Sequence, residues 1–397
     1  MNVAFTPTPT VRVGVIGVGA RGTEMLGTML YMDGLQVQAL CDIVPSKVAA
    51  GQQLLTSAGR PNPTGYTAGD YDFENLCRRD DIDVVYIATP WEWHTTMAVY
   101  AMNQGKHAWV EVPAATTLDE CWQLVFTSEQ TRRHCIMTEN CCYGYNELML
   151  LNMVRDDFFG NVTHGEAAYI DDIRIELCTY LGWRRAWHTR VDGNIYPTHG
   201  LGPVARYMGI NYQDRFQSLV SFSSPESGLS TYVREFLPAD SPIRSEKFIC
   251  GDTNTSVVKT AQGRTIMLQH SVTQPRPYDR NNLIAGPKAT FRDFPPRIWV
   301  YHGQESSSGD WGPIDPYKPQ YEDPLWTNYG AAAAAAGANG GIDFMMLFRF
   351  LQFFHQGLVP DINVYDAAAW SAPMPLSIAS VASGGTPQIF PDFVTRG

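Results

Sequence analysis

The sequence predicts an α/β protein in which a doubly wound parallel sheet is followed by a second domain built on an antiparallel or mixed sheet. An apolar run from Val11 leads straight into a glycine-rich turn, and strand-like and helix-like segments alternate through the first third of the chain. Beyond about Tyr143, strand-like runs are separated by turns rather than by helices. Because 397 residues exceed what one hydrophobic core usually supports, we expect two domains, over residues 1–140 and 141–397.

The glycine-rich turn has the spacing of a dinucleotide-binding site, Gly17-x-Gly19-x-x-Gly22. Gly17 permits a tight turn from strand to helix, Gly19 lets a pyrophosphate approach the backbone, and Gly22 allows close packing of helix on strand. A second apolar run ends at Asp42, whose carboxylate is suited to accept the ribose hydroxyls of adenosine and to repel a 2′-phosphate. The sequence therefore predicts NAD, rather than NADP, as cofactor.

The other elements of the first third follow the order that such a sheet requires. Apolar runs and helical periodicity predict strands at Val37–Cys41, Asp83–Pro90, His107–Glu111 and Cys135–Glu139, and helices at Thr23–Tyr31, Ser46–Ser57, Thr95–Gln104 and Leu118–Thr131. A polar connection rich in Pro and Gly covers Arg60–Asp72. Ligands of doubly wound sheets lie beyond the carboxyl ends of the strands, which here are Gly17, Asp42, Pro90, Glu111 and Glu139.

The rest of the chain has a different pattern of predicted secondary structure. A helical pattern is followed by alternating runs that predict strands: the helix is Glu147–Asp156, and the strands are Thr163–Ile170, Phe216–Ser221, Thr255–Thr260, Thr265–His270 and Arg297–Tyr301. Six consecutive alanines bounded by glycines, within Gly330–Gly341, are interpreted as a loop that leads into a helix over Ile342–His355.

Composition excludes several classes of partner. The net charge is −11, and the sequence contains no cluster of Lys or Arg of the kind that binds a phosphate backbone. We therefore expect no nucleic-acid partner. No apolar segment approaches the length of a membrane span, so we expect no membrane partner. The eight cysteines show neither C-x-x-C pairs nor metal-ligand spacing, so we expect no metal and a reducing, cytoplasmic compartment. Export of a processed form stays open, because a removed signal leaves no trace.

Further motifs carry a resemblance to a known family. They are Pro90-Trp-Glu-Trp-His94, Glu111-Val112, Glu139-Asn140, Tyr169-x-Asp-Asp172, Trp183-Arg184, Tyr196-Pro-Thr-His199-Gly-x-Gly-Pro203 and Gln274-x-Arg-Pro-Tyr278. With the glycine turn, they resemble one group in the Gfo/Idh/MocA superfamily, the NAD-dependent glycoside hydrolases of family 109, whose named activity is α-N-acetylgalactosaminidase. The resemblance implies a Rossmann domain, then an α/β domain with a large, mostly antiparallel open sheet that commonly forms homo-oligomer contacts.

The glycine motif and the resemblance together assign residues to two ligands. The predicted cofactor-binding residues are Gly17, Gly19, Ala20, Arg21, Gly22, Asp42, Trp91, Glu92, Trp93, His94, Glu111, Val112 and Asn140. The predicted sugar-binding residues are Tyr169, Arg184, Tyr196, Pro197, Thr198, His199 and Tyr278. Aromatic rings suit the C–H faces of sugars, and a guanidinium supplies donors for an acetamido carbonyl or for hydroxyls. Simpler interpretations stay open: Trp91 and Trp93 as caps of the sheet edge, Arg184 as a partner of Asp171 or Asp172, and Tyr278 as a turn residue.

The mechanism implied by the resemblance differs from that of plain dehydrogenases. Many superfamily oxidoreductases carry Glu-Lys-Pro after the fifth strand, and the lysine transfers a proton; here the tripeptide is Glu111-Val112-Pro113. In the hydrolases NAD is recycled: C3 of the sugar is oxidised, the aglycone is eliminated across C1–C2, water adds, and C3 is reduced again. This needs no pair of flanking carboxylates. Tyr169 is the candidate base at C2, and His199 the candidate acceptor for the C3 hydroxyl proton.

Two positions depart from the family pattern. The hydrolases usually read Tyr-x-His-Asp and Gly-His-Gly-Gly, where this chain has Asp171 and Asn339 in place of the histidines. The preferred sugar or linkage is therefore open. Two other functions also stay open: a net sugar oxidoreductase of the 3-dehydrogenase type, which the missing lysine disfavours, and a non-catalytic NAD- or sugar-binding protein.

Overall fold

The computed structural model describes residues 3–301 and 309–395, and the chain divides into two compact units. The first is Met1–Tyr145 with Asp323–Ser371, and the second is Asn146–Glu322 with Ala372–Gly397. Residues 323–371, which we expected in the second domain, thus belong to the first unit. Their side chains pack on its sheet: the rings of Trp109 and Phe350 lie 5.4 Å apart, and the Ala114 amide donates to Ser371 Oγ at 3.1 Å.

The first unit contains a sheet of six parallel strands. They are β1 (Val11–Ile16), β2 (Leu35–Cys41), β3 (Thr64–Tyr66), β4 (Val84–Ile87), β5 (His107–Val110) and β6 (Cys135–Met137). Their order is β3-β2-β1-β4-β5-β6, so the direction of winding reverses beside β1. The predicted doubly wound sheet is confirmed. The short strand β3 lies within the polar connection, where three mostly exposed residues give no periodicity to detect.

Helices join these strands and cover the sheet. They are α1 (Ala20–Met29), α2 (Pro45–Ser57), α3 (Phe73–Cys77), α4 (His94–Asn103) and α5 (Leu118–Thr131). Local sequence explains where α5 begins, because Thr117 and Glu120 form a reciprocal capping box. Short 3-10 turns at Trp91–Trp93 and Asn140–Tyr143 follow β4 and β6 at the carboxyl edge of the sheet.

The second unit contains an eight-stranded sheet. Its strands are β7 (His164–Ile170), β8 (Phe216–Ser223), β9 (Asn254–Thr260), β10 (Thr265–Ser271), β11 (Leu283–Ala285), β12 (Ala289–Arg292), β13 (Arg297–Val300) and β14 (Gln388–Ile389). The order is β13-β12-β11-β7-β10-β9-β8-β14, with β7 and β10 parallel and the other neighbours antiparallel. The large, mostly antiparallel sheet implied by the resemblance is thus confirmed.

Helix α6 (Tyr145–Arg155) precedes these strands, and further helices lie between them: α7 (Arg174–Cys178), α8 (Gly182–His188), α9 (Thr198–Tyr207), α10 (Gly228–Phe236) and α11 (Lys318–Tyr321). Helix α9 packs on β7 so closely that a Cβ at Gly200 would lie 2.3 Å from the Ala168 nitrogen. The sheet also carries exposed apolar side chains, including Phe222, Val257 and Ile389. None of the helices within the described ranges has the length and apolarity needed to cross a bilayer.

The last helices correct the prediction for the alanine run. They are α12 (Pro324–Ala336), α13 (Ile342–Gln356), α14 (Val364–Ser371) and, in the second unit, α15 (Pro373–Ala382). The alanines are helical, so the predicted loop over Gly330–Gly341 is wrong for most of its length. Alanine has the highest helix propensity, Asp323 caps α12 by accepting from the Leu325 amide, and Gly337, with φ +77°, ends it.

Candidate functional site

The glycine turn has the geometry that a pyrophosphate requires. Gly17 has φ +88°, and a Cβ there would lie 2.4 Å from the Ala88 carbonyl oxygen. A Cβ at Gly22 would lie 1.9 Å from the Gly17 oxygen, whereas one at Gly19 would meet nothing within 4 Å. The first and third glycines are thus required by close packing, and the second leaves the backbone open beside the start of α1. The free N–H groups of that helix can bind phosphate oxygens there.

Asp42 follows β2 and is held rigidly at the edge of the same turn. Its Oδ2 accepts from the Val18 amide and its Oδ1 from the Val44 amide, both at 2.9 Å. The carboxylate is partly exposed, and Ile43 beside it is largely exposed. A fixed, partly solvated anion in this position suits a ribose diol and opposes a 2′-phosphate.

Arg21, the second residue of α1, is the centre of a charged group that we call the Arg21 cluster: Arg21, Glu24, Glu111 and Asp343. Its Nε donates to Glu111 at 2.9 Å, and its Nη1 to Glu24 at 3.0 Å. Nη1 and Nη2 also donate to the two oxygens of Asp343, each at 2.7 Å. Burial alone would lower the pKa of Arg21, but the charges of Glu111 and Asp343 raise it above its ordinary value.

Asp343 holds the Arg21 cluster in place and was not predicted from the sequence. Its side chain is fully buried in the first turn of α13, where it also accepts from Asn140 at 2.8 Å and from Asn339 at 2.7 Å. Burial alone would raise the pKa of Asp343, but the hydrogen bonds and charge of Arg21 hold it below its ordinary value. Asn339 is therefore engaged in a structural contact within the first unit.

The motif after β4 is used partly for packing. His94 is buried, with Nδ1 2.7 Å from the Pro113 oxygen and Nε2 2.9 Å from the Thr89 oxygen. Burial lowers the pKa of His94 and the two carbonyl contacts oppose that shift, while the ring joins the loops after β4 and β5. Within the motif, Trp91 is buried, Trp93 is half-buried and Glu92 is exposed. Two other predicted cofactor-binding residues lie outside it: Ala20 is exposed and Val112 is buried.

In the second unit, four predicted sugar-binding rings come together. The Tyr169 ring, on β7, lies 4.8 Å from Tyr196, 5.5 Å from His199 and 6.1 Å from Tyr278, centroid to centroid. Tyr196 and His199 are also in contact, because the tyrosine hydroxyl lies 3.2 Å from the imidazole Nε2. The close packing of α9 on β7 at Gly200 brings the Tyr-Pro-Thr-His segment beside Tyr169.

Arg184 packs against these rings. It is buried in α8, and its Cζ lies 4.2 Å from the centroid of Tyr196 and 5.3 Å from that of Tyr169. These are cation–π distances, so a positive charge lies beside two phenol rings. Asp171 and Asp172 are the two carboxylates that the sequence offered as alternative partners of Arg184. Both oxygens of Asp172 accept from Arg174 at 2.7 Å, and burial raises the pKa of Asp171.

Comparison with known proteins identifies the family. A family model described as oxidoreductase family, NAD-binding Rossmann fold, matches residues 11–139, and one described as glycosyl hydrolase 109, C-terminal domain, matches residues 143–397. The chain is 54% identical to a glycosyl hydrolase family 109 protein of Solibacter usitatus and 48% identical to one of Saccharopolyspora erythraea. Both matches include the whole of this chain; they cover 91% of the Solibacter protein and 86% of the Saccharopolyspora protein. The chain belongs to glycosyl hydrolase family 109.

Solved structures support the fold of this family 109 protein. Levoglucosan dehydrogenase in complex with NADH aligns with a TM-score of 0.73 at 16% identity, over 96% of this chain and 99% of that one. An NAD-binding oxidoreductase from Klebsiella pneumoniae aligns with a TM-score of 0.72 at 14% identity, over the same shares of the two chains. The predicted resemblance is confirmed, and the first unit is an NAD-binding Rossmann domain.

A buried ion pair, which the sequence did not predict, lies next to one of the predicted sugar-binding rings in this family 109 chain. The Arg280 Cζ lies 5.9 Å from the centroid of Tyr278 and 5.4 Å from that of Phe294. Its Nη2 donates to Glu147 at 2.7 Å, and Asn282 donates to the same oxygen at 3.3 Å. Tyr278 is thus supported by a packed cation rather than standing alone in a turn. No local motif joins residues so far apart in sequence.

Proposed function

We propose that this protein is a glycosidase that uses NAD as a recycled cofactor and acts on an N-acetylgalactosaminide or a related glycoside. The observation that carries the proposal is the group of Tyr169, Tyr196 and His199, in which two phenols and an imidazole lie in contact beside Arg184. Such a group supplies proton acceptors and sugar-stacking faces together. Family membership supports the same chemistry.

A bound NAD⁺ would supply the acceptor for a hydride from C3 of the sugar and, once reduced, the donor that restores C3 at the end of the cycle. Between these events the C3 ketone makes the C2 hydrogen acidic, so the C2 proton and the C1 aglycone can leave as an elimination. Water then adds at C1 and a proton returns to C2, which gives net hydrolysis. The residues of this chain must therefore accept a proton from the C3 hydroxyl and another from C2.

Each proton has a candidate acceptor. His199 would take the proton of the C3 hydroxyl, with its ring orientation set by the Tyr196 hydroxyl 3.2 Å away. Tyr169 would take the C2 proton as a phenolate, and the Arg184 cation 5.3 Å from its ring centroid would stabilise negative charge there. Arg184 would also orient the acetamido carbonyl or a hydroxyl, and Tyr278 would stack on the sugar.

The cofactor residues follow from the first unit. The glycine turn and the start of α1 would bind the pyrophosphate, and Asp42 the adenosine ribose. Val112 stands where many superfamily dehydrogenases carry a lysine, and its buried, apolar side chain cannot transfer a proton. This residue favours the glycosidase over a sugar dehydrogenase, the second candidate, which only the shared fold supports.

We also propose a compartment, an oligomeric state and a substrate preference for the enzyme. The seven buried cysteines and the half-buried Cys178 are all free thiols, which suits a reducing compartment such as the cytoplasm. The exposed apolar side chains of the eight-stranded sheet suit a homo-oligomer contact. Asp171 and Asn339, in place of two histidines, suit a sugar or linkage that differs from that of the named activity.

A panel of p-nitrophenyl glycosides distinguishes the candidates. Release of p-nitrophenol and absorbance at the NADH band are followed together, with the protein loaded with NAD⁺. The glycosidase releases p-nitrophenol without net NADH, whereas a dehydrogenase forms NADH in proportion to the sugar consumed. A protein that binds a glycoside and yields neither product is a binding protein.

A further inference from the structure

The Arg21 cluster contains more negative than positive charge. Its single guanidinium contacts the carboxylates of Glu24, Glu111 and Asp343. The Glu111 and Asp343 side chains are 11% and 0% exposed, against 39% for Glu24. Because two of the three carboxylates are largely removed from water, their field is weakly screened at short range.

The cluster lies at a defined part of the sheet. In the order β3-β2-β1-β4-β5-β6, Asp42 follows β2 and Glu111 follows β5, on opposite sides of β1. A Rossmann sheet has two mononucleotide-binding halves, and the pyrophosphate lies at the turn after β1. If adenosine binds beside Asp42, on the β2 side of β1, then the nicotinamide half of the cofactor binds on the other side, beside β4 and β5. The Arg21 cluster includes Glu111 at the end of β5 and therefore lies on that side.

The two redox states of the cofactor differ in charge at that end. The oxidised nicotinamide ring carries a positive charge, and the reduced ring is neutral. Excess negative charge nearby attracts the oxidised ring and has no matching effect on the reduced one. Among the described residues, the other side chains that donate to Glu111 and Asp343 add no charge, because Tyr86 donates to Glu111 as a neutral phenol and Asn140 and Asn339 donate to Asp343 as neutral amides.

We propose that the Arg21 cluster makes this protein bind NAD⁺ more tightly than NADH, with Asp343 as the residue that positions it. The inference rests on the proposed function, in which the resting protein must hold the cofactor oxidised. Asp343 contributes a charge and also fixes Arg21 through two hydrogen bonds of 2.7 Å. Arg21 in turn holds Glu111 at the end of β5.

The test is the ratio of two dissociation constants, measured by calorimetry with NAD⁺ alone and with NADH alone. The variants are Asp343→Asn, Glu111→Gln and Glu24→Gln. Asp361→Asn is the matched control, because Asp361 makes a similar two-point pair with Arg349, at 2.8 and 2.9 Å, elsewhere in the first unit. We expect Asp343→Asn and Glu111→Gln each to shift the ratio towards NADH by about tenfold, Glu24→Gln by less, and Asp361→Asn not at all.

A purely structural role would weaken both redox states equally and leave the ratio unchanged, which would overturn the proposal. Affinity for AMP, which needs only the Asp42 half, checks that each variant is folded. If Asp343→Asn does not bind AMP, then Glu111→Gln and Glu24→Gln decide the matter. The measurement uses no sugar, so a failed glycosidase assay leaves this result standing, and an unchanged ratio leaves the glycosidase proposal standing.

Discussion

The hydroxyl of Tyr196 lies 3.2 Å from Nε2 of His199, so one nitrogen of the imidazole is engaged at the start of α9. The two rings are nearly perpendicular, at 85°, with centroids 5.0 Å apart. The contact fixes the orientation of the imidazole and joins it to a second proton-carrying group. If His199 accepts a proton, as we propose, the Tyr196 hydroxyl is close enough to share it.

Replacing His199 tests its role in oxidation at C3. We expect His199→Ala to abolish both glycoside cleavage and the transient NADH signal, because elimination cannot begin without the C3 ketone. Tyr196→Phe, which keeps the imidazole and loses only its hydroxyl partner, should reduce turnover by about tenfold to a hundredfold. Stopped-flow absorbance at the NADH band checks both variants. Normal NADH formation by His199→Ala would assign the C3 proton to another residue.

Replacing Tyr169 separates proton transfer at C2 from sugar binding. Tyr169→Phe keeps the ring that contacts Tyr196 and deletes only the phenol oxygen. We expect turnover to fall by at least about a hundredfold, the scale for losing a general base, with little change in sugar affinity. Tyr321→Phe is the control, because it removes a hydroxyl that donates to Asp156 at 2.8 Å outside the sugar site. Equal turnover of the two variants would rule out Tyr169 as the base.

Replacing Asp42 tests the choice between NAD and NADP. We expect Asp42→Ala to weaken NAD binding and to reduce discrimination against NADP, because the ribose acceptor and the repulsion of the 2′-phosphate are both lost. The control is Asp81→Ala, whose carboxylate pairs with Arg79 before β4 begins. Dissociation constants for both cofactors provide the measurement. Equal affinity of the unaltered protein for NAD and NADP would contradict the assignment.

Some parts of the candidate site could be predicted from the sequence alone. The glycine turn and Asp42 were predictable, because both act through neighbouring backbone: a positive φ at Gly17 and a carboxylate fixed by two nearby amides. Tyr169 and His199 were predicted through family motifs, and the structure brings their rings to 5.5 Å. Their catalytic roles remain predictions.

Other features depend on contacts that no local pattern encodes. Asp343 reaches Arg21 only after the chain returns to the first unit, and Glu147 reaches Arg280 through the fold of the second. The short strand β3 has too few residues for a period, and tertiary packing supplies its partner. The alanine run is helical despite its flanking glycines, because the helix propensity of six alanines outweighs the loop signal of the glycines.

Acid should destabilise the first unit through two histidines. Burial lowers the pKa of His134 to about 4 and that of His107 to about 3, and their rings lie 5.4 Å apart. Between these values and the ordinary pKa of about 6.5, the unfolded chain binds more protons than the folded one, so stability falls as pH falls. We expect His134→Phe to remove about 2 kcal/mol of the loss between pH 7 and pH 5. Unfolding curves at both pH values check this, and an unchanged pH dependence would contradict it.

The most direct test of the central claim is cleavage of a p-nitrophenyl N-acetylgalactosaminide methylated at O3. A methyl ether at C3 cannot become a ketone, so we predict that this compound competes with the parent glycoside for binding but releases no p-nitrophenol. Conventional acid–nucleophile catalysis develops its charge at C1 and would tolerate the methyl group better. Efficient release of p-nitrophenol from the 3-O-methyl glycoside would contradict oxidation and elimination as the route of hydrolysis in this protein.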